Sequence, residues 1–135
     1  MNYLTALFGQ QRSAFRVNPM PAAEQRIQWL RAPRDLLFNE QVSLIRAISG
    51  DFSNRSADET LLGEVMPSLH GIHHAIKRVR KWMRPSRRAV GMAFQPAAAR
   101  VVYQPLGVVG VIAPWNYPLY LAIGPLVGAW LPVTG

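Results

Sequence analysis

The side chain best placed to do chemistry is the amide of Asn116, held in the pentapeptide Pro114–Trp115–Asn116–Tyr117–Pro118. The two prolines fix the main chain on either side of it and force a non-repetitive turn. The run before the turn, Gly107–Ala113 (GVVGVIA), is apolar on both faces, the pattern of a strand buried in a parallel sheet. The run after it, Leu119–Trp130, has the composition of an apolar helix. In α/β sheets ligands gather at the carboxyl ends of the strands. A neutral donor fixed at such a place suits an oxyanion that exists only during reaction. Asparagine is also a common turn residue, so spacing alone leaves both readings open.

Three other groupings invite chemistry and each has a plainer explanation. His70, His73 and His74 share one helical face, but no Asp or Glu lies within five residues to complete a metal shell. A solvated or partly packed face accounts for them, and no metal is expected. The basic run from Lys77 to Arg88 (KRVRKWMRPSRR) has the charge to meet phosphates and a tryptophan to stack on a base. Val79, Trp82 and Met83 nevertheless continue an apolar stripe, which leaves the cations on the outer face of a helix end, where they complement its dipole. No nucleic acid is expected. Leu106–Leu131 is uncharged and long enough to span a bilayer, so a small basic membrane-anchored protein is the alternative reading. Against it stand Pro114 and Pro118, which break the middle of any spanning helix.

Composition narrows the field further. The chain has 135 residues, about one small domain, of which 50% are hydrophobic and 16% charged. Cysteine is absent, which excludes disulfides, thiolate-bound zinc, iron–sulfur clusters and any thiol nucleophile carried on these residues. The net charge of +8 is segregated: residues 1–64 hold seven acids and seven bases, whereas residues 65–135 hold eight bases and no acid. Such segregation points to a missing partner, a membrane or a missing remainder of the chain.

The elements that must position the turn are mostly helical. The stretch 1–16 lacks a basic leader and a continuous apolar core, so no cleavable leader is expected, and the chain is read as cytoplasmic. Val17–Pro21 reads as a loop. From Ala22 to Gly50 apolar residues recur at helical spacing, with Pro33 expected to kink or split the run and Gly50 to cap it. Ser56–Glu59 (SADE) has capping-box spacing and opens a second apolar stripe that runs to Arg84, bent at Pro67 and stopped by Pro85. Ser86–Ala99 is expected to be an exposed connection. Ala99–Gln104 reads as a short strand closed by Pro105.

The run from Pro105 to Pro118 (PLGVVGVIAPWNYP) resembles the N-terminal signature of the aldehyde dehydrogenase superfamily. Asp51–Ser56 (DFSNRS), Glu59–Leu62 (ETLL) and Lys81–Met83 (KWM) are similar to its coniferyl aldehyde dehydrogenase branch, near the class 3 enzymes. The likeness covers roughly residues 22–129. It implies an α/β fold with N-terminal helices and the first strands of a doubly wound, Rossmann-like cofactor domain, here incomplete. The expected parts are an extension at 1–21, helices at 22–98, and a segment at 99–135. That segment would hold an oligomerisation-type strand, the first cofactor-domain strand, the corner and a helix.

The same resemblance implies oxidation of an aldehyde, coniferyl or another aromatic one, to its acid, with NAD or NADP as cofactor and a homodimer as the assembly. Asn116 matches the oxyanion-hole asparagine. Ile112, Ala113, Pro114 and Trp115 match the wall of the cofactor cleft, and Tyr117, Tyr120 and Leu121 fall where the family lines its substrate tunnel. The family's Cys nucleophile, general-base Glu and cofactor lysine have no counterpart in these residues, so the chain alone is expected to be inactive. An unpaired strand at Gly107–Ala113 is further expected to make it poorly soluble or molten. After Gly128–Ala129 the family's usual Leu-Ala-Ala-Gly-Asn-Arg is replaced by Trp130–Gly135 (WLPVTG). Deletion of one base from plausible codons for the former yields the latter, so a frameshift or a sequencing error is expected at this point.

Overall fold

The computed structural model describes residues 3–131. In chain order it contains α1 (Tyr3–Val17), α2 (Ala23–Asn39), α3 (Gln41–Asp51), α4 (Ala57–Thr60), a π-helical turn (Leu61–Val65) and α5 (Met66–Trp82). There follow β1 (Ser86–Arg88), a 3₁₀ turn (Met92–Phe94), β2 (Ala99–Val101) and α6 (Pro118–Trp130). The core lies where α2, α5 and α6 meet. Leu30 and Leu37 from α2, Ile72 and Ala75 from α5 and Val127 from α6 form one buried cluster, flanked by Leu44, Leu69 and Ile123. The Leu, Ile and Val side chains each contribute roughly 1.5–3 kcal/mol by leaving water, and Ala75 less. By contrast, α1 buries none of its residues.

The stripe on α5 follows the expected helical spacing, with Ser68, Ile72, Ala75 and Val79 buried. Several local expectations are corrected. Pro33 does not split the first run: α2 passes through it, and the break falls at Glu40. Leu30 and Leu37 on either side of Pro33 are both fully buried, so packing offsets the lost hydrogen bond. Gly50 lies inside α3 rather than capping it. The chain turns instead through left-handed Ser53 (φ 53°) and Asn54 (φ 78°), where the Asn54 N–H donates to the Ser49 carbonyl at 2.9 Å. Ser56 does precede α4, but its side chain makes no capping hydrogen bond. Pro67 lies in the first turn of α5, and the helical run from Ala57 to Trp82 departs from α geometry in the π turn just before it.

The segment after Pro85 is exposed, yet it is not a bare connection. Ser86–Arg88 pairs antiparallel with Ala99–Val101, with Arg87 opposite Arg100. The Ala99–Gln104 strand is therefore shorter than expected. Gly107–Ala113 is not a buried strand among the described residues: it forms no ladder, and Ile112 is 99% exposed. Its sequence suits a sheet interior, but no neighbouring strand is present among the described residues to take its main-chain bonds. No described helix is long and apolar enough to cross a membrane. The alternative span Leu106–Leu131 contains a helix only from Pro118 onward. Of the segment on which the frameshift expectation rests, residues 132–135 lie outside the described residues.

Candidate active site

The Pro114–Pro118 corner is a bend that opens α6 directly, as the sequence leads one to expect. Asn116 is exposed on it, and its side-chain amide bonds to no described residue. Its main chain, by contrast, is tied down. The Asn116 carbonyl accepts a hydrogen bond from Arg55 Nη1 at 3.0 Å, across 61 residues of sequence. The same Nη1 lies 3.2 Å from Glu64 Oε1, and Nη2 lies 3.0 Å from Glu59 Oε1. The Arg55 guanidinium also sits over the Tyr117 ring at 4.4 Å and the Phe52 ring at 5.0 Å. Its Nε is buried without a hydrogen-bond partner among the described residues.

Glu64 closes the other side. Its side chain is fully buried, and Oε2 accepts from the main-chain N–H of Leu119 at 2.7 Å and of Tyr120 at 3.2 Å. These are first-turn donors of α6 that have no partner within the helix, and a carboxylate there also meets the positive end of its dipole. The π turn places Glu64 so that it faces α6 while Val65 enters the core. It also brings Gly63 against the Tyr117 ring: a Cβ at Gly63 would lie 2.9 Å from Tyr117 Cε1. The ring is thus held between Arg55 and the bare backbone of the π turn.

The remaining sequence-predicted positions fall on one continuous stretch. Ile112 and Trp115 are 99% and 83% exposed, and Ala113 and Pro114 lie between them. No main-chain hydrogen bond joins residues 107–115 to the other described residues. Tyr120 and the half-buried Leu121 occupy the first turn of α6, where the Leu121 N–H donates to the Tyr117 carbonyl at 3.0 Å. The histidines are brought to no site. His70, His73 and His74 are exposed on α5, and His74 instead lies against Trp82 with ring centroids 5.6 Å apart. No cluster of metal-ligating side chains occurs among the described residues. An open hollow of about 820 Å³ is lined by β1, β2 and the segment joining them, including Arg87, Arg88 and Arg100, and shares no lining residue with the corner.

An approach without regular secondary structure, a proline-bounded corner and a helix behind it, with an amide at the bend unbonded among the described residues, is the arrangement to compare with known proteins. The aldehyde dehydrogenase family model matches residues 6–131. The chain belongs to the aldehyde dehydrogenase family. It is 71% identical over 129 residues to a probable coniferyl aldehyde dehydrogenase of Pseudomonas aeruginosa, covering 96% of this chain and 27% of the relative. It is 42% identical over 105 residues to a coniferyl aldehyde dehydrogenase of Pseudomonas sp., covering 78% of this chain and 21% of that one. Among solved structures, the substrate-bound state of a Staphylococcus aureus AldH superposes with a TM-score of 0.90 at 23% identity, over 96% of this chain and 28% of the other.

The chain thus spans about a quarter of the length of the curated relatives it matches. Its helices and short hairpin are those of an incomplete α/β domain, as expected. Within the dehydrogenase segment, sequence reasoning found the corner and missed what holds it. Arg55 and Glu64 were not singled out. The available signal was Glu64 itself, the last acid of the chain, lying between Leu61 and Val65 at the start of an apolar stripe. An acid in that position is buried with a partner or breaks the stripe.

Proposed function

We propose that this chain supplies the oxyanion-stabilising corner and one cofactor-facing wall of an NAD(P)-dependent dehydrogenase. The complete enzyme would oxidise coniferyl aldehyde, or a similar aromatic aldehyde, to its acid. The observation that carries the proposal is the Asn116 amide: exposed, unbonded among the described residues, and mounted on a main chain fixed by Arg55 at the entrance of α6. A donor so placed stabilises charge that develops on a carbonyl oxygen and loses no alternative partner in doing so. The chain has no cysteine, so the thiol that the family resemblance assigns as nucleophile lies outside these residues, and the chain alone does not turn over.

The residues present fit a dinucleotide. Ile112 and Trp115 offer uncovered apolar surface, the intervening main chain keeps free donors and acceptors, and no acid follows Glu64 to repel a pyrophosphate. Ile112, Ala113, Pro114 and Trp115 would hold it as one wall of a cleft. When bound, the nicotinamide supplies the acceptor for the hydride that the aldehyde loses. Asn116 steadies the oxygen by donating a hydrogen bond, while Tyr117, Tyr120 and Leu121 border the path by which an aromatic aldehyde reaches it. The β2 strand is assigned to the contact between two copies of the complete enzyme.

The test is a full-length enzyme in which residues 6–131 of this chain replace the matching segment of the 71%-identical relative. It should reduce NAD or NADP in the presence of coniferyl aldehyde, and Asn116→Ala should lower kcat by about 10²–10³. Unchanged turnover in Asn116→Ala would refute the role given to the amide.

A further inference from the structure

The geometry points to Arg55 and Glu64 as the positioning residues of this site, a buried ion pair that aims the Asn116 amide without touching substrate. This inference rests on the oxyanion reading of Asn116 and adds what makes the amide a fixed donor. Between Val102 and Tyr117 the chain forms no strand or helix, and the hydrogen bond from Arg55 holds the carbonyl of Asn116 itself. Arg55 is in turn immobilised: its side chain is 6% exposed, paired with Glu59 and Glu64 and stacked on Tyr117 and Phe52. Glu64 holds the far side of the turn through Leu119 and Tyr120. The peptide unit bearing Asn116 is therefore clamped from both directions by one pair of side chains.

The pair also removes the first N–H groups of α6 as competing donors. A helix N-terminus with free N–H groups is itself an anion site. Here Pro118 has no N–H, and the next two are bonded to Glu64. The end of α6 thus carries its own internal carboxylate, whose charge Arg55 offsets. The amide of Asn116 remains, among the described residues, an unbonded donor at the corner. A fixed neutral donor gains little from a neutral aldehyde and more from its charged adduct, which is the differential a catalyst needs.

The test uses the full-length enzyme carrying residues 6–131 of this chain, with Arg55→Met, Arg55→Lys and Glu64→Gln made in both the Asn116 and the Asn116→Ala backgrounds. In the Asn116 background Arg55→Met and Glu64→Gln should lower kcat at least tenfold while leaving the KM of the cofactor within twofold, and Arg55→Lys should restore part of the loss. In the Asn116→Ala background the same changes should alter kcat less than threefold, because the group they position has gone. Equal losses in the two backgrounds, or no loss in the first, would overturn the inference while leaving the role of Asn116 standing. Should Arg55→Met give no folded enzyme, the near-isosteric Glu64→Gln is judged by the same two criteria. Wild-type turnover in Asn116→Ala alone would instead sink the oxyanion reading, and this inference with it.

Discussion

Arg26 offers a measurement of how firmly the helical layer holds α6. The side chain is 3% exposed, and burial pulls its guanidinium below the usual arginine range, though it stays charged at neutral pH. Nη1 donates to the Trp130 carbonyl at 2.7 Å, 104 residues away, and Nε donates to the Pro21 carbonyl at 3.1 Å. The cation therefore sits at the C-terminus of α6, where it also opposes the negative end of the dipole. Arg26→Met keeps the apolar stem and deletes both bonds. Hydrogen bonds to charged groups contribute about 1.5–3 kcal/mol each, which brackets the loss at about 3–6 kcal/mol. The Trp130 carbonyl lies near the surface and regains water, so the lower end, about 3 kcal/mol, is expected.

Urea unfolding followed by far-UV circular dichroism, on the full-length enzyme carrying residues 6–131 of this chain, reads this as a lower midpoint at unchanged slope. Arg31→Met, exposed on the same helix, should change stability by less than about 0.5 kcal/mol. Arg26→Lys should recover about half of the loss, since one donor replaces two. A base whose folded pKa is lowered adds stability only as pH rises through that pKa. For an arginine this window lies far above neutrality, so the Arg26→Met difference should be flat between about pH 5 and 9. A loss for Arg26→Met no larger than that for Arg31→Met would refute the assignment of Arg26 as the tie between α2 and α6.

Two further outcomes follow from local geometry. Gly63→Ala should destabilise the protein by about 1–3 kcal/mol and shift the near-UV signal of Tyr117, because the added Cβ meets the ring at 2.9 Å. Gly71→Ala, on open α5 surface with nothing within 4 Å, should instead stabilise it by about 0.5–1 kcal/mol, and equal effects at the two sites would contradict the packing given for Tyr117. The Glu24 carboxyl, at the start of α2, is held below the usual carboxylate range by its own main-chain N–H and then by Arg80, whose Nε lies 3.1 Å away. Its small contribution is present above the unfolded pKa and fades as pH falls through the folded one. Carboxyl NMR titration should show the lowered midpoint, with Arg80→Gln raising it only in part, and an ordinary midpoint in the unmutated chain would count against this contact.

The helical spacing of the sequence was legible because α2 and α5 bury their stripes against each other within the chain: Leu30, Leu37, Ile72 and Val79 lie where the period puts them. The corner was legible for a different reason, since Pro114 and Pro118 constrain the backbone whatever surrounds them. What misled is long-range. Pro33 looks like a break only if its neighbours are free, and Leu30 and Leu37 are not. Gly107–Ala113 has the composition of a sheet interior, but a strand is a relation between two segments, and composition states only one side of it. β1 escaped notice because Ser-Arg-Arg has no strand propensity, and its pairing is supplied by Ala99–Val101. Arg55 and Glu64 are 9 residues apart in sequence and act on residues 55–61 positions further on, a distance that no periodicity encodes.

That last separation bears on how the site is made. The corner closes here although Gly107–Ala113 forms no ladder, so sheet pairing is not what sets its shape. The groups that set it, Arg55, Gly63 and Glu64, all lie on the loop and π turn between α3 and α5, whose other face is the buried stripe of the helical layer. Docking α6 on α5 through Leu69, Ile72 and Val127 therefore brings Leu119 and Tyr120 to Glu64 in the same step. A π turn suits this work, because its extra residue per turn lets Glu64 face α6 while Val65 still points into the core. The placing of the Asn116 main chain is in this sense a property of helix packing.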